Sequence, residues 1–326
     1  MRRTQWKEIT KEWVEEVVNV AKDQSSAAAG IIKTAAPVVL DLQLPAVSQL
    51  RAIVNTNPFE GRTLKQWADT IAEQDIARML DQIRIGLVQG ESSQQIARRL
   101  VGTAALKGKD GIFEVTRRHA MSITRTAVMS TAAASREALY AENSDLFDRE
   151  RYVATLDSRT TPICRSLDGK IFPLGQGPRP PVHWNCRSIR VPWFSDEYIA
   201  QRPARAFTQQ QLLREFSSAE GLPRVRSRAA LPRGYKTSFD EFARRRMREL
   251  TSVIPSNVDY GTWLGRQTLE FQDDVLGPTR GALFRKGGLT LDKFVDATGS
   301  TRSLSNLARL HRDAFLAAGL DPEDFL

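Results

Sequence analysis

Cysteine is almost missing from this chain. Cys164 and Cys186 are the only two in 326 residues, too few for a secreted disulfide scaffold. Long apolar runs are missing as well. No stretch approaches the roughly 20 residues that a membrane-spanning helix needs. Met1-Arg2-Arg3 runs straight into the amphipathic TQWKEITKEWVEEV, which is not a signal-peptide pattern, so a protein made and folded in a cytosol is expected. Histidine is confined to His119, His183 and His311. There is no phosphate-cradling glycine motif, no HExxH and no paired-carboxylate signature, so an enzyme is not expected. Acidic residues are the minority, 38 against 47 Lys and Arg, for a net charge of +9. That balance favours acidic partners, either nucleic acid or an acidic protein surface.

What is present is mostly helical periodicity. Trp6, Ile9, Trp13, Val17 and Val20 recur at spacings of three and four, marking one face of an N-terminal helix. That face is either a core stripe or a partner-docking surface anchored by Trp6 and Trp13. Ser25 to Ala36 is small and helical, and Pro37 and Pro45 interrupt it. Thr63 is placed to cap a helix carrying Leu64, Trp67, Ile71, Ile76, Leu80, Ile83 and Leu87. A short helix with Arg98 and Arg99 follows; helix–turn–helix DNA readout is the alternative there to a solvated face, and the solvated face is expected. Phe113 to Asn143 is a long helix made slim by Ala127, Ala132, Ala133, Ala134 and Ala138. His119 and Arg125, six apart, do not share its face.

From Tyr152 the pattern changes to short β-type runs at Tyr152 to Leu156, Lys170 to Leu174 and Ser188 to Trp193, joined by Asp168-Gly169 and a Pro/Gly loop from Gly175 to Pro181. After it come helices at 196–200 and 207–216, then an acid-free stretch from Gly221 to Ser238 that reads as a basic linker. Its alternative is a non-specific clamp on phosphates by Arg224, Arg226, Arg228, Arg233 and Lys236. The last 90 residues are helical again.

The β region carries a resemblance. Asp157-x-Arg159-Thr160, Pro162-x-Cys164, Leu167-Asp168-Gly169-Lys170 and Pro180-Pro181-x-His183-x-Asn185-Cys186-Arg187 resemble the core signature of the phage Mu protein F-like head-morphogenesis family. Signature positions are Asp157, Arg159, Cys164, Gly169, His183, Asn185, Cys186 and Arg187. Many members have further cysteines where this chain has Thr161 and Ser188, and Arg-Thr-Glu where it has Arg125-Thr126-Ala127. The resemblance implies a minor head protein of a tailed phage, assembled in the host cytoplasm. It would be located in the virion, inside the head or at the portal vertex. Portal, capsid and scaffolding proteins would be its partners, phage DNA is a further candidate, and no membrane is involved.

The expected fold is α+β and mostly α-helical. It divides into an N-terminal helical segment (1–56), a Mu F-like domain (57–220) with a small antiparallel β unit (150–194), a basic linker (221–238) and a helical C-terminal segment (239–326). Cys164, His183 and Cys186 are zinc-type ligands, with Asp157 the nearest fourth. The competing reading is a packed or paired set of thiols without metal, so no cofactor is expected and zinc is the alternative. A thiol enzyme built on Cys164, His183 and Asp157 is the remaining alternative and is not expected, since no oxyanion-type glycine loop accompanies them in the sequence.

Overall fold

A computed structural model describes residues 2–36, 40–59, 61–89, 91, 93–106, 108, 110–194 and 201–326. The chain divides into two compact units: residues 1–148 with 173–190, and residues 149–172 with 191–326. The fold is α+β and mostly helical, with two small three-stranded sheets. Among the described residues no helix is long and apolar enough to cross a membrane.

The first unit is built on two long helices, α1 (Arg2–Ala35) and α5 (Ile112–Glu142), with α2 (Val47–Thr56), α3 (Leu64–Val88) and α4 (Ser93–Val101) around them. The small residues decide how α1 and α5 meet. Ala21, Ser25, Ala28 and Ala29 on α1 are buried, as are Ala127, Ala132 and Ser135 on α5. The Ser25 hydroxyl donates to the Ser135 carbonyl at 3.3 Å. One apolar cluster joins Val17, Val18, Leu50, Val54, Phe59 and Ile123. A second joins Ile32, Leu42, Leu139, Tyr140 and Phe147. Asn143, just beyond α5, holds the incoming segment: its side chain accepts from Gln43 N–H and donates to the carbonyls of Gln43 and Leu139. Ala127, where the resemblance expects glutamate, lies within the first cluster, where a carboxylate would be desolvated.

Strand β1 (Arg149–Val153), β2 (Leu156–Asp157), helix α6 (Pro162–Leu167), β3 (Ile171–Pro173) and β4 (Ile189–Pro192) cover the signature. Strands β1, β3 and β4 form one sheet, in the order β3-β1-β4. The run Tyr152 to Leu156 is thus two strands, and β2 belongs to the other sheet. There it pairs in parallel with β5 (Gln201–Arg205), Leu156 opposite Ala204, and β5 pairs antiparallel with β6 (Thr251–Pro255). The β content is therefore wider than the expected 150–194 unit and is not wholly antiparallel.

On β5, Arg202 and Ala204 are buried while Gln201, Pro203 and Arg205 are exposed, the period-two alternation of a half-buried strand. Beneath this sheet lie α9 (Tyr260–Gly265), α10 (Leu269–Leu276), α11 (Pro278–Arg285), α12 (Leu304–Leu310) and α13 (Arg312–Ala317). They follow α7 (Gln209–Ala219) and α8 (Lys236–Glu249) in the chain. Their core holds Leu156, Tyr260, Trp263, Phe271, Leu283 and Phe315; side chains of this size contribute about 1.5–3 kcal/mol each on full burial. Gly277, at φ 83°, turns the chain between α10 and α11, a conformation that glycine adopts without a Cβ penalty.

The stretch read as a linker is folded. Leu231 is buried with Leu212, Leu213, Phe216, Phe239 and Ala243, and Leu222, Val225 and Tyr235 pack on them. Two short 3₁₀ turns, Arg228–Ala230 and Arg233–Tyr235, shape it. Leu231 follows the first turn and Tyr235 ends the second, a non-helical spacing, which is why periodicity missed it. The helix expected over 196–200 lies outside the described residues, as do the side chains of Trp6 and Trp13.

Candidate functional site

The signature residues fall in both units. In the second, Asp157 ends β2 and serves its own turn. Its carboxylate accepts from Arg159 N–H at 3.0 Å and from the Thr160 hydroxyl at 3.2 Å. Arg159 is exposed, with its Nε 3.9 Å from the Asp157 carboxylate. Asp157 thus acts as a local brace, and its carbonyl also accepts from the buried Tyr260 hydroxyl at 2.6 Å. Burial pushes the Tyr260 phenol up to about 12.

Cys164 lies on α6, which opens with Pro162, a residue suited to a first turn. The thiol is buried and 3.3 Å from the Tyr152 hydroxyl. Thr161, at a position that holds cysteine in many members, buries its Oγ1 without a hydrogen-bond partner among the described residues.

Asp168 and Gly169 form the turn that ends this segment. The Asp168 carboxylate accepts from Ala154 N–H at 2.7 Å and from the Arg202 guanidinium at 3.0 to 3.2 Å. Arg202 also donates to the Ala154 carbonyl at 2.5 Å. This knot ties β1, α6 and β5 together, and both side chains are almost wholly shielded from solvent. Burial outweighs Arg202 and raises the Asp168 carboxyl above the ordinary aspartate value. Gly169 sits at φ 81° with Asp259 packed against it. The signature's Asp-Gly pair thereby has a structural explanation, though sequence reading missed Arg202 as its partner.

The first unit holds the other half of the signature, on the loop from Pro173 to Arg190, where Pro180-Pro181 is cis. Asn185 anchors it. At φ 57° it donates its N–H to Thr126 Oγ1 at 3.1 Å, and its side chain donates to Ser122 Oγ at 3.0 Å. Trp184 packs edge-on against Trp67 with centroids 5.0 Å apart, and against Phe59. A cavity of about 230 Å³ lies there, lined by Trp67, Arg78, His119 and Trp184 among others.

His183 and Cys186 offer ligand atoms within 4.8 Å of one another. Cys186 N–H donates to the His183 carbonyl at 3.1 Å, which closes the His-x-x-Cys turn. Nδ1 of His183 is 2.8 Å from the Trp184 carbonyl. In the neutral ring this places the proton on Nδ1 and the lone pair on Nε2, the arrangement of metal-ligating histidines. The residues can thus supply thiolate and imidazole ligands. Both cysteines are buried.

The basic residues of 221–238 divide. Arg228 forms a two-point ion pair with Asp240, so its charge is compensated within the chain and it is not a free phosphate contact. Arg224, Arg226 and Arg233 are exposed, and Lys236 opens α8. Arg99 is likewise engaged, with Glu91.

Residues 60–190 match a family model described as Phage Mu protein F like protein. No curated protein and no solved structure matches the chain significantly. The match spans the helices α3 to α5 and every signature position from Asp157 to Arg187. Over residues 60–190 the chain is thus similar to the Phage Mu protein F like family.

Proposed function

We propose that the chain is a minor phage head protein that acts in head assembly at or near the portal vertex, as a structural component and not a catalyst. The observation that carries this reading is the family match over 60–190. It is supported by the signature's architecture: Asp157, Asp168, Gly169 and Asn185 are each used to brace turns or dock a loop. Portal, capsid and scaffolding proteins are the partners proposed, with Trp6 and Trp13 on α1 as anchors.

The test is co-expression with the portal protein of the same phage, followed by gradient sedimentation at low and high salt. Co-migration that persists at high salt, and that weakens in a Trp6→Ala, Trp13→Ala variant, is expected for apolar docking. Failure to co-migrate at either salt overturns the portal reading.

A second reading is favoured by a specific observation. Between Phe207 and Leu250 ten basic residues stand against five acidic ones, which accounts for +5 of the chain's +9. This segment would contact the phosphates of phage DNA without reading bases, because Phe216, Tyr235, Phe239 and Phe242 are spent on one another. Duplex binding that falls steeply between 50 and 200 mM salt, and that weakens when Arg224, Arg226 and Arg233 are neutralised, is the expected result. Binding indifferent to those changes excludes it.

A further inference from the structure

Several partly or fully buried arginines of the second unit face a carboxylate. Arg202 faces Asp168, Arg214 faces Glu270, Arg246 faces Glu215 and Arg285 faces Asp273. Arg165 and Arg280 face no carboxylate among the described residues. Arg165 is buried, and donates to the carbonyls of Val275 at 3.0 Å and Ser158 at 3.2 Å, with its guanidinium against Tyr260, 5.4 Å from the centre of that ring. Arg280 donates to the Arg302 carbonyl at 2.8 Å. In both, the Nε is buried with no acceptor among the described residues. Burial alone depresses the Arg280 guanidinium below its usual value, with no counter-charge to offset it.

These two side chains line the same cavity, of about 60 Å³, with no acidic residue in its wall among the described residues. A buried and a half-buried cation on the wall of one cavity are costly unless an anion joins them. The rest of the described wall is apolar, Pro162, Val275, Leu276, Leu291 and Phe294, apart from Thr301. A volume of this size admits a group of a few heavy atoms. Guanidinium donors match the planar carboxylate, and aliphatic walls suit a hydrocarbon stem but not the hydrated sugar that accompanies a phosphodiester.

We infer that the cavity between Arg165 and Arg280 is a binding site for a carboxylate carried on a short aliphatic stem. The source is either a free organic acid or an acidic side chain of a partner polypeptide. The inference does not depend on the phage-head reading.

The experiment titrates sodium butyrate into the full chain and follows the melting temperature and binding heat, with chloride and phosphate at matched ionic strength as controls. Butyrate is expected to stabilise the wild type beyond chloride and phosphate. Arg280→Gln, which keeps a donor for the Arg302 carbonyl but removes the charge, is expected to weaken butyrate by about tenfold or more. Thr301→Glu introduces the carboxylate in cis at an exposed position. It is expected to raise the melting temperature without butyrate and to abolish the butyrate response, whether or not Arg280→Gln folds. A blocked Leu-Glu-Leu peptide that binds more tightly than butyrate assigns the source to a polypeptide, and the reverse order assigns it to a free acid. Stabilisation no greater than chloride gives, or a butyrate response unchanged in either variant, overturns the inference. Phosphate that binds more tightly than butyrate overturns the carboxylate.

Discussion

Asp168 and Arg202 offer the sharpest test of how the signature works. Asp168→Asn keeps an acceptor for Ala154 N–H at 2.7 Å but removes the charge that Arg202 faces from three contacts of 3.0 to 3.2 Å. The guanidinium then stays buried with only neutral oxygens around it. Breaking one side of a buried pair costs about 3–5 kcal/mol, a large part of the roughly 5–15 kcal/mol that holds a domain folded. Because the chain has two units, a single global melting curve is a poor readout. Hydrogen exchange of the peptides covering β5 and α9 is local to the knot. If those amides exchange through an opening that breaks the knot, they should exchange about a hundredfold to several thousandfold faster in Asp168→Asn. The first unit's α1 and α5 should be unchanged. Arg202→Gln should behave alike, and the double variant should cost clearly less than the sum, since it leaves no orphaned charge. Additive costs, or acceleration below about tenfold in Asp168→Asn, would refute the assignment of this pair as the centre of the turn.

Three further outcomes are expected. Tyr260 has its folded pKa raised to about 12 from an ordinary 10.0, so its contribution is fully present below pH 10 and is lost as pH rises towards 12. At about 1.4 kcal/mol per unit that is on the order of 3 kcal/mol, and Tyr260→Phe should flatten the alkaline limb of a stability–pH curve. Gly169→Ala forces a side chain into φ 81° with Asp259 Cβ at 3.0 Å. It should cost at least about 1–2 kcal/mol in urea unfolding, whereas Gly221→Ala, which meets nothing within 4 Å, reports the backbone cost alone. Purified without a tag or chelator, the chain should carry well under one zinc by elemental mass spectrometry, and a full equivalent would convert the thiols and His183 from packed residues into ligands.

Much of the helical framework was legible because it is periodic. The alanine-rich face of α5 and the apolar series from Leu64 to Leu87 each announce a helix of about the observed length. The second sheet was not legible. On β5 the buried positions are Arg202 and Ala204, so the alternation that marks a strand is hidden behind a charged residue, and β6 is exposed at Ser252, Val253 and Pro255. The signature announced its turns through Asp168-Gly169 and its ligand types through Cys164, His183 and Cys186. It could not announce Arg202, which lies 34 residues on. Nor could it announce that Arg165 and Arg280 line one cavity, since Arg165 reaches across 110 residues to the Val275 carbonyl.

The chain passes from one unit to the other after residues 148, 172 and 190, and this has a consequence in time. A ribosome that has released the first 148 residues has made most of the first unit but not the loop with His183, Asn185 and Cys186. It must then make 149–172, which belong to the second unit, before that loop emerges. The first unit is therefore completed only after a piece of its neighbour has been synthesised. That piece carries Tyr152, Asp157, Cys164 and Asp168, and must wait without Arg202 or Tyr260 until they follow. A nascent chain stalled before residue 190 should show α1 and α5 packed but the Asn185 anchor unmade, and any shortened version that ends between 148 and 190 inherits the same gap.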